Sequence, residues 1–552
     1  MKLKNILYSM MMGTAVLTGT TSCVSDLDQY PHTETTSKDV YTSLANYEAV
    51  LGKIYAAMVT SGQGKGGDNK DMESVLNNGS GFDYMRMFIN MQECGTDEFA
   101  STWLTGEQTT GLTYLSWDAN DAWVSDMYYR IYYNIALCNE FLRNANSASF
   151  SGADAEKMKE YKAEVRFMRA LFYYHALDFY RNIPMVTEND PVGSYIPPRY
   201  TPQQTFDYIE SELKDCVGDM LPASTCPYGQ ASQGAAYTLL AKLYLNSEVY
   251  TGVAKYAECK EACEKVMNMG YSLESDYSKL FNADNDKRTN EIIFALPVSA
   301  EHTVSWGSST YLICGQVSMS NANQNVADYG VTAGWSEFRL RPEFVDKFSQ
   351  TDIDGNGDKR CKFFTNGQSK DVTSMTDETS GYLSEKWSNL KDDKTTASNT
   401  ADAGVETDFP LFRLADVYLM YAECVVRTGG DWDNWAGGSD AESDSRKKGA
   451  IYWINKVRER AYGKGKGQVW SSNFADDDAF LQFILDERAR ELYHEGCRRT
   501  DLIRYGQFTT NKYIWQWKGG THDGQAVDSK YNIYPIPNTE LTANPNLHND
   551  NY

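Results

Sequence analysis

Apolar residues recur along most of the chain at the spacing of amphipathic helices. Between residues 37 and 59 they stand three or four positions apart, at Val40, Leu44, Tyr47, Leu51, Ile54 and Met58. This spacing places them on one face of a single helix. Residues 118–143 and 154–183 repeat the pattern, and Pro184 ends the second of these segments. The pattern predicts a mainly α-helical fold.

The start of one helix can be placed to the residue. Thr201 is a favourable N-cap, and Pro202 suits the first helical position because its missing N–H is not needed there. Gln204 stands where its side chain can reach back to the Thr201 backbone and complete a capping box. We therefore expect a helix that begins at Pro202.

Two parts of the chain read as helix pairs joined by short turns. Residues 235–252 and 253–270 form the first pair, and residues 411–432 and 450–463 form the second. Their spacing of small and aromatic residues resembles the tetratricopeptide unit, in which a helix pair buries its apolar face only against stacked neighbours. The sequence thus predicts a scaffold of stacked helix pairs.

Between residues 271 and 408 the apolar residues no longer follow the spacing of a helix. This segment is rich in Gly, Ser, Asn, Asp and Trp, with short strand-like runs at residues 291–298 and 309–315. So long an irregular segment in a regular domain is usually functional, which indicates a ligand-binding region. Residues 531–552 also lack a helical period, and we expect them to follow the surface in extended form.

The N-terminus has the layout of an export signal. Lys2 and Lys4 precede an apolar run at residues 6–17, which is too short to span a membrane permanently. Cys23 directly follows small residues, as in a relaxed bacterial lipobox, in which the thiol is lipidated. This predicts a signal peptide over residues 1–22 and a tether over residues 23–36. The alternative is a plain secreted protein with an incidental cysteine.

Charge and cysteine usage exclude several classes of protein. The net charge of −23 repels phosphate backbones, so nucleic acid is not an expected partner. The cysteines form no CxxC pair and no metal-type spacing with histidine, so we expect no disulfide framework and no zinc site. Most of them stand among apolar neighbours, as small core residues do.

The densest cluster of charge lies in residues 487–506. On a helix, Glu487, Glu491 and Glu495 would form one stripe beside a second stripe of basic residues. A glycosidase would need one carboxyl group kept protonated in an apolar pocket. Here every carboxylate has an arginine nearby, which lowers its pKa and keeps it ionised. The cluster therefore indicates ion pairs between packed helices rather than an active site.

Other signals of catalysis or metal binding are weak. The chain has no HExxH pattern, no G-x-S-x-G turn and no phosphate loop, and His175 in its aromatic helix reads as a core residue. Residues 352–358 resemble the start of a calcium loop, but Phe363 occupies the twelfth position, where a bidentate glutamate is needed. We predict a solvated turn here, no catalytic residue, no metal site and no cofactor, and any calcium would be structural.

Three tryptophans stand in polar, loop-like surroundings: Trp103, Trp306 and Trp335. The C–H face of a sugar ring stacks on an exposed aromatic ring, while polar side chains bind its hydroxyl groups. These tryptophans are therefore candidates for a sugar site, and the alternative for each is core packing. Asn323 and Gln324 are candidate polar neighbours.

The chain resembles the SusD/RagB family of outer-membrane nutrient-capture lipoproteins in four stretches that keep the family's order, residues 163–188, 409–430, 485–508 and 534–547. The resemblance implies a cell-surface lipoprotein with about four tetratricopeptide-like helix pairs and no enzymatic activity. It also implies a loop-built ligand face and a SusC-like TonB-dependent transporter as partner. The expected parts are a helical region over residues 37–270, the loop-rich ligand-binding region over 271–408, and a C-terminal helical region with the tail over 409–552.

Residues 282–286, 307–315 and 509–520 are most similar to the starch-binding members of that family. This narrower resemblance implies that Trp103, Trp306 and Trp335 form an aromatic arc against a curved glucan. It also implies that Arg86 adds hydrogen bonds, which we expect at an exposed edge of the site. The chain departs from the pattern at Ser101 and Gly106, where those members carry a tryptophan and an asparagine.

The function that follows is non-catalytic capture of an α-glucan such as starch or maltooligosaccharides, and its delivery to the transporter. One alternative is capture of another glycan, or of peptides, on the same scaffold. A glycoside hydrolase built on helix pairs and a purely protein-binding scaffold are further alternatives. The tryptophan-bearing irregular region favours ligand capture over both of these.

Overall fold

The computed structural model of the chain describes residues 37–64, 71–72, 75–76, 82–399, 404–432 and 449–552. The expected signal peptide, the tether and Cys23 lie outside these residues. The chain divides into two units, residues 1–47 and 48–552. Of the first unit the structure describes Ser37–Val40 and the start of the next helix, with the Tyr41 and Tyr47 ring centres 4.9 Å apart.

The described chain is mainly helical, which confirms the fold class. The α-helices in chain order are α1 Ser37–Val40, α2 Leu44–Ala56, α3 Tyr84–Glu93, α4 Thr110–Tyr114, α5 Ala122–Ser147, α6 Ala153–Tyr180, α7 Pro202–Cys216, α8 Gln233–Leu245, α9 Ser247–Thr251, α10 Tyr256–Met267, α11 Ser308–Gly315, α12 Pro342–Val345, α13 Gln350–Ile353, α14 Leu414–Arg427, α15 Ala450–Tyr462, α16 Asp477–Leu492, α17 Arg498–Arg504 and α18 Asn538–Ala543. Single 3₁₀ turns occupy Val217–Asp219, Tyr277–Leu280, Asn285–Lys287, Val326–Tyr329, Ser471–Asn473, Lys518–Gly520 and Ser529–Asn532.

The strands are short and pair antiparallel in twos. They are β1 Ala100–Ser101, β2 Ile183–Pro184, β3 Arg199–Tyr200, β4 Ile292–Leu296, β5 Phe338–Arg339, β6 Phe363–Phe364, β7 Leu383–Ser384 and β8 Phe409–Arg413. The pairs are β1 with β5, β2 with β3, β4 with β8, and β6 with β7. The pairing of β4 with β8 ties the beginning of the irregular region to the segment that follows it.

The helices stack as the sequence predicts. α8 packs on α10, α10 packs on α14, and α14 packs on α15 and α16. Leu239 and Leu243 of α8 and Cys259 and Cys263 of α10 are fully buried, which is how stacked helix pairs share one core. The ten cysteines in the described ranges are all free thiols.

The start of α7 agrees with the sequence to the residue. The Thr201 side chain accepts a hydrogen bond from the Gln204 backbone N–H, and the Gln204 side chain accepts one from the Thr201 backbone N–H. Pro202 is the first helical residue. The predicted capping box is confirmed because its parts are local and need no tertiary contact.

Four sequence expectations about element boundaries were wrong. The apolar stripe of residues 37–59 is divided between α1 and α2, with a bend at residues 41–43. Residues 309–315 form a helix, not a strand; every residue of α11 is buried, and a short run that is buried on all sides fits either element. The tail contains the short helix α18 between extended segments. The charged segment is two helices, since α16 ends at Leu492 and His494 takes a left-handed backbone conformation.

The charged segment 487–506 is a buried ion-pair network, as predicted. Glu491 accepts hydrogen bonds from Arg360, Arg413 and Arg460, and Glu487 pairs with Arg360, Arg458 and Arg490. Burial alone would raise the pKa of Glu491, but Arg460, Arg413 and Arg360 outweigh it and hold the pKa at about 2. A carboxylate this acidic cannot serve as a general acid at neutral pH.

We expect the substitution Glu491→Gln to lower the free energy of unfolding by about 3–5 kcal/mol at pH 7, because it leaves buried arginines without their counter-charge. The folded-state pKa lies below the ordinary value, so the contribution is complete above about pH 4.5 and is lost as the pH falls toward about 2. Urea unfolding at pH 7, 5 and 3 measures this difference. Glu258→Gln on an exposed position of α10 is the control and should change little. An equal loss at pH 7 and pH 3 would contradict the ionic origin.

Candidate functional site

The pairing of β1 with β5 brings two of the candidate tryptophans together. Ala100 pairs with Arg339 and Ser101 with Phe338, so the residues just after β1 lie beside those just before β5. The Trp103 indole Nε1 donates a hydrogen bond to the Trp335 carbonyl oxygen at 3.0 Å. Trp103 and Trp335 are thus neighbours although 232 positions separate them in the sequence.

The loop that carries Trp306 is attached to the start of α3. Asp83, the N-cap of this helix, accepts hydrogen bonds from the Ser305 hydroxyl at 2.7 Å and the Ser308 backbone N–H at 3.1 Å. A side chain at Gly307 would collide with the Asp83 carboxylate, so only glycine allows the loop to come this close. One capping residue therefore fixes both the helix and the loop.

Arg86 joins the loops of all three tryptophans. Its guanidinium donates to the Trp306 carbonyl oxygen at 2.8 Å and to the Glu107 carboxylate, on the loop that follows Trp103. It also lies 3.7 Å from the carboxylate of Glu337 and 5.9 Å from the ring centre of Trp335. The structure therefore brings together all four residues that the sequence proposed for the site.

We expected Arg86 to lie at an exposed edge of the site, and this expectation was wrong. Its side chain is only 3% exposed and lies over the rings of Phe82 and Tyr311, at 3.9 and 4.1 Å from their centres. Sequence alone could not show this burial, because the ion-pair partners and covering rings come from four separate segments of the chain. In this structure Arg86 holds the loops in place.

The electrostatics of the Arg86 cluster keep the guanidinium charged. Burial alone would lower the pKa of Arg86, but Glu107 and Glu337 together raise it. Burial, and then the charge of Glu107, raise the pKa of Glu337 to about 8 against the opposing effect of Arg86. Such a cluster fixes geometry, because one buried guanidinium holds carboxyl groups from two separate segments of the chain.

The tryptophan side chains remain accessible above this buried anchor. Trp103 is 39% exposed and Trp306 is 43% exposed, whereas Trp335 is half-buried. We call this surface, formed by Trp103, Trp306 and Trp335, the tryptophan face. Exposed rings of this size in a polar setting are the usual contact surface for sugar rings.

Ser101 and Gly106, the two residues that depart from the starch-binding pattern, both lie close to the tryptophan loops. Ser101 is buried, and its hydroxyl donates to the Glu337 carboxylate at 3.2 Å and accepts from Thr109 at 3.0 Å, so it adds no surface for a ligand. A Cβ at Gly106 would lie 3.7 Å from the Trp103 ring, so the glycine passes close beside that ring. The tryptophan face thus lacks the tryptophan and asparagine side chains that starch-binding members carry at these two positions.

A loop over residues 318–324 borders Trp335 and contains a residue that the sequence reasoning missed. The Met319 backbone N–H donates to the Ser336 hydroxyl at 2.6 Å, and the Met319 side chain is 66% exposed. Gln324 is used internally, since it accepts from the Ser318 N–H and donates to the Tyr329 hydroxyl. Asn323 is exposed. The sequence of this polar loop carries no signal that the Met319 side chain is exposed.

The remaining candidates have partners inside the fold. His175 is buried with its Nδ1 at 2.6 Å from the Tyr84 hydroxyl, and burial lowers its pKa to about 3, so it is a core histidine as predicted. In the calcium-like turn, the Asp352 carboxylate accepts a hydrogen bond from the backbone N–H of Ser349, the N-cap of α13, and Asp358 pairs with Arg360. Among the described residues no group of three or more His, Cys, Asp or Glu side chains is arranged to hold a metal ion.

Comparison with known proteins identifies the family. Residues 350–552 match the family model described as the SusD family, and residues 27–245 match the one described as "Starch-binding associating with outer membrane". The chain is 33% identical, over an alignment of 594 positions, to the starch-binding protein SusD of Bacteroides thetaiotaomicron, with 99% of each chain covered. The chain belongs to the SusD family.

Solved structures agree with this fold. A SusD-like protein from Bacteroides fragilis superposes with a TM-score of 0.68 at 18% identity, covering 95% of this chain and 100% of that one. Surface glycan-binding protein A from Bacteroides thetaiotaomicron, solved in complex with laminarihexaose, gives a TM-score of 0.65 at 17% identity, covering 92% and 99%. The SusD-like fold is thus shared by proteins of low identity.

Family membership fixes the general role of the chain. SusD-family proteins bind glycans at the cell surface and do not catalyse their cleavage, and this chain is such a non-catalytic, outer-membrane-associated glycan-binding protein. Across the described residues, no helix combines the length and apolar character needed to cross a membrane.

Proposed function

We propose that the tryptophan face captures an α-glucan such as starch or a maltooligosaccharide. The protein then passes the glucan to a SusC-like TonB-dependent transporter in the outer membrane. The chain's 33% identity to a protein named for starch binding supports the choice of glucan. We also propose that residues 271–408 are the main ligand-binding region, since Trp306 and Trp335 both lie in it.

The observation that carries this proposal is the attachment of three tryptophan loops to one buried arginine. Arg86 binds the Trp306 loop directly, reaches the Trp103 loop through Glu107 and lies against Trp335. Loops held in this way lose little conformational freedom when a ligand binds, so more of the stacking energy appears as affinity. Asn323 on the neighbouring loop is exposed and can bind a sugar hydroxyl group.

The test is calorimetric titration of the purified protein with maltoheptaose and, separately, with laminarihexaose. Binding of maltoheptaose in preference to laminarihexaose supports the α-glucan. The second candidate is capture of another glycan. Ser101 and Gly106 favour it, because starch-binding members carry a tryptophan and an asparagine where this chain has these two small residues. Binding of laminarihexaose alone would establish that candidate and contradict the first.

The attachment of the protein to the membrane is proposed to be a lipid on Cys23. We expect Cys23→Ala to release the protein in folded form from the outer-membrane fraction, because the predicted apolar run at residues 6–17 is too short to anchor it. Membrane fractionation followed by immunoblotting measures this. Ser22→Ala is the control and should still sediment with the membrane. Retention of Cys23→Ala after a wash at high salt would contradict the lipid anchor.

A further inference from the structure

The carboxylate of Glu378 lies against the segment that carries Trp335. It accepts a hydrogen bond at 2.9 Å from the hydroxyl of Ser336, the residue that follows Trp335. Ser336 is buried and takes a left-handed backbone conformation, with a φ of 52°. A residue other than glycine keeps this conformation only where its surroundings hold it there. The hydrogen bond to Glu378 is one of the contacts that do so.

The same carboxylate also holds the loop that contains Met319. It accepts hydrogen bonds from the hydroxyl of Ser320 and, at 3.4 Å, from that of Ser318. These two serines flank Met319, whose backbone N–H donates to the Ser336 hydroxyl at 2.6 Å. One carboxylate, that of Glu378, therefore ties the two segments together.

The pattern of hydrogen bonds suits an ionised carboxylate. Such a group only accepts, so each serine hydroxyl donates to it, and the Ser336 oxygen remains free to accept from the Met319 N–H. Burial alone would raise the pKa of Glu378, but hydrogen bonds from Ser320 and Ser336 and the charge of Arg339 outweigh it and lower the pKa. Glu378 is therefore charged at neutral pH.

Glu378 is in addition a counter-charge for Arg339 of β5. Arg339 is 1% exposed, and burial lowers its pKa to about 10 against the opposing charges of Glu378 and then Asp377. The Asp377 carboxylate accepts from the Thr379 backbone N–H at 2.9 Å and from the Thr379 hydroxyl at 2.8 Å, within its own turn. Asp377 thus shares the effect on Arg339, and its side chain serves a different segment. This makes it the matched control for Glu378.

We propose that Glu378 is a positioning residue for glycan binding, which sets the place of the Trp335 ring by joining residues 318–320 to Ser336. Glu378 acts through Trp335 and does not touch the sugar. A ring that is held in place before the ligand arrives loses less freedom on binding, which raises the affinity. The inference rests on the proposed function of the tryptophan face, because it concerns the ligand contact of Trp335.

The experiment is a double-mutant cycle measured by calorimetric titration with maltoheptaose. We expect Glu378→Ala to weaken binding by about 2- to 12-fold, the cost of ordering one side chain again when the ligand binds. In a Trp335→Ala background the same change should have almost no effect, since Glu378 acts through that ring. Ser336→Ala should behave as Glu378→Ala does, and Asp377→Ala should leave the affinity unchanged.

The conservative variant Glu378→Gln keeps the size of the side chain and one acceptor oxygen, so it should lose less affinity than Glu378→Ala. It serves in the same cycle if the alanine variant does not fold. Full affinity in Glu378→Ala, an equal loss in Asp377→Ala, or an undiminished loss in the Trp335→Ala background would each overturn the inference. If the protein binds laminarihexaose instead of maltoheptaose, the cycle is measured with laminarihexaose.

A measurement without ligand separates this inference from the proposed function. Fluorotryptophan is incorporated, and the fluorine resonance of Trp335 is assigned by its absence from Trp335→Ala. We expect this resonance to shift in Glu378→Ala and to stay in place in Asp377→Ala. A shift in a protein that binds neither glycan would support the positioning of Trp335 while the proposed function fails. A resonance that does not move in Glu378→Ala would overturn the inference whichever glycan is bound.

Discussion

Replacing Trp306 by alanine is expected to weaken binding of maltoheptaose by about 5- to 150-fold. Stacking on one aromatic ring contributes roughly 1–3 kcal/mol, by analogy with base stacking, and about 1.4 kcal/mol corresponds to a tenfold change in affinity. We expect Trp103→Ala and Trp335→Ala to fall in the same range. The double variant of Trp306 and Trp335 should lose detectable binding. Calorimetric titration measures each variant.

The control for this series is Trp470→Ala. Trp470 is 44% exposed, nearly the same as Trp306 at 43%, but it lies between α15 and α16 rather than on the tryptophan face. The Trp470→Ala variant should bind maltoheptaose with the affinity of the unmodified protein. Because the Trp306 ring is largely outside the core, its removal should hardly change the thermal midpoint. Unfolding of Trp306→Ala, or an equal loss of binding in Trp470→Ala, would show that the site is misplaced.

Replacing Arg86 by methionine is expected to affect stability and binding together. The change removes the buried cation that pairs with the Glu107 carboxylate, which should lower the free energy of unfolding by about 3–5 kcal/mol. Binding should fall at least as far as in a single tryptophan variant, because the loops of Trp306 and Trp103 both lose an anchor. Urea unfolding and titration with maltoheptaose measure the two effects.

The variant Arg86→Lys separates the contribution of the positive charge from that of the guanidinium hydrogen bonds. Lysine keeps the charge but cannot bind the Trp306 carbonyl oxygen and the Glu107 carboxylate with one planar group. It should therefore recover part of the stability and little of the affinity. A methionine variant that keeps full stability but loses binding would show instead that Arg86 contacts the sugar directly, as the family resemblance first implied.

Predictions of structure were most accurate where they rested on local signals. The capping box at Thr201 and Gln204 was correct because both partners lie within four residues. The ionic character of residues 487–506 was also correct, yet its main partners, Arg360 and Arg413, lie far away in the sequence and could not be named. A single sequence shows that charges need partners, but not which distant segments supply them.

Prediction of the candidate site was limited in the same way, because the contacts between distant segments were not visible in the sequence. The polar surroundings of Trp103, Trp306 and Trp335 marked them as surface residues, while the family resemblance grouped them with Arg86. The burial of Arg86 and the exposure of Met319 followed only from the meeting of loops that are distant in sequence. Residues 309–315 were assigned to the wrong element because a short buried run carries no periodic signal.

The loops of the tryptophan face are fixed mainly through main-chain atoms. Arg86 binds the carbonyl oxygen of Trp306, and the Trp335 backbone N–H donates to the Cys314 carbonyl oxygen at 2.8 Å. The bond to Arg86 therefore does not depend on the identity of the side chain at position 306. Tryptophan at this position can be exchanged for tyrosine, histidine or a polar residue while Arg86 still binds the loop. The face is thus suited to acquiring new sugar preferences by single substitutions, whether in evolution or by design.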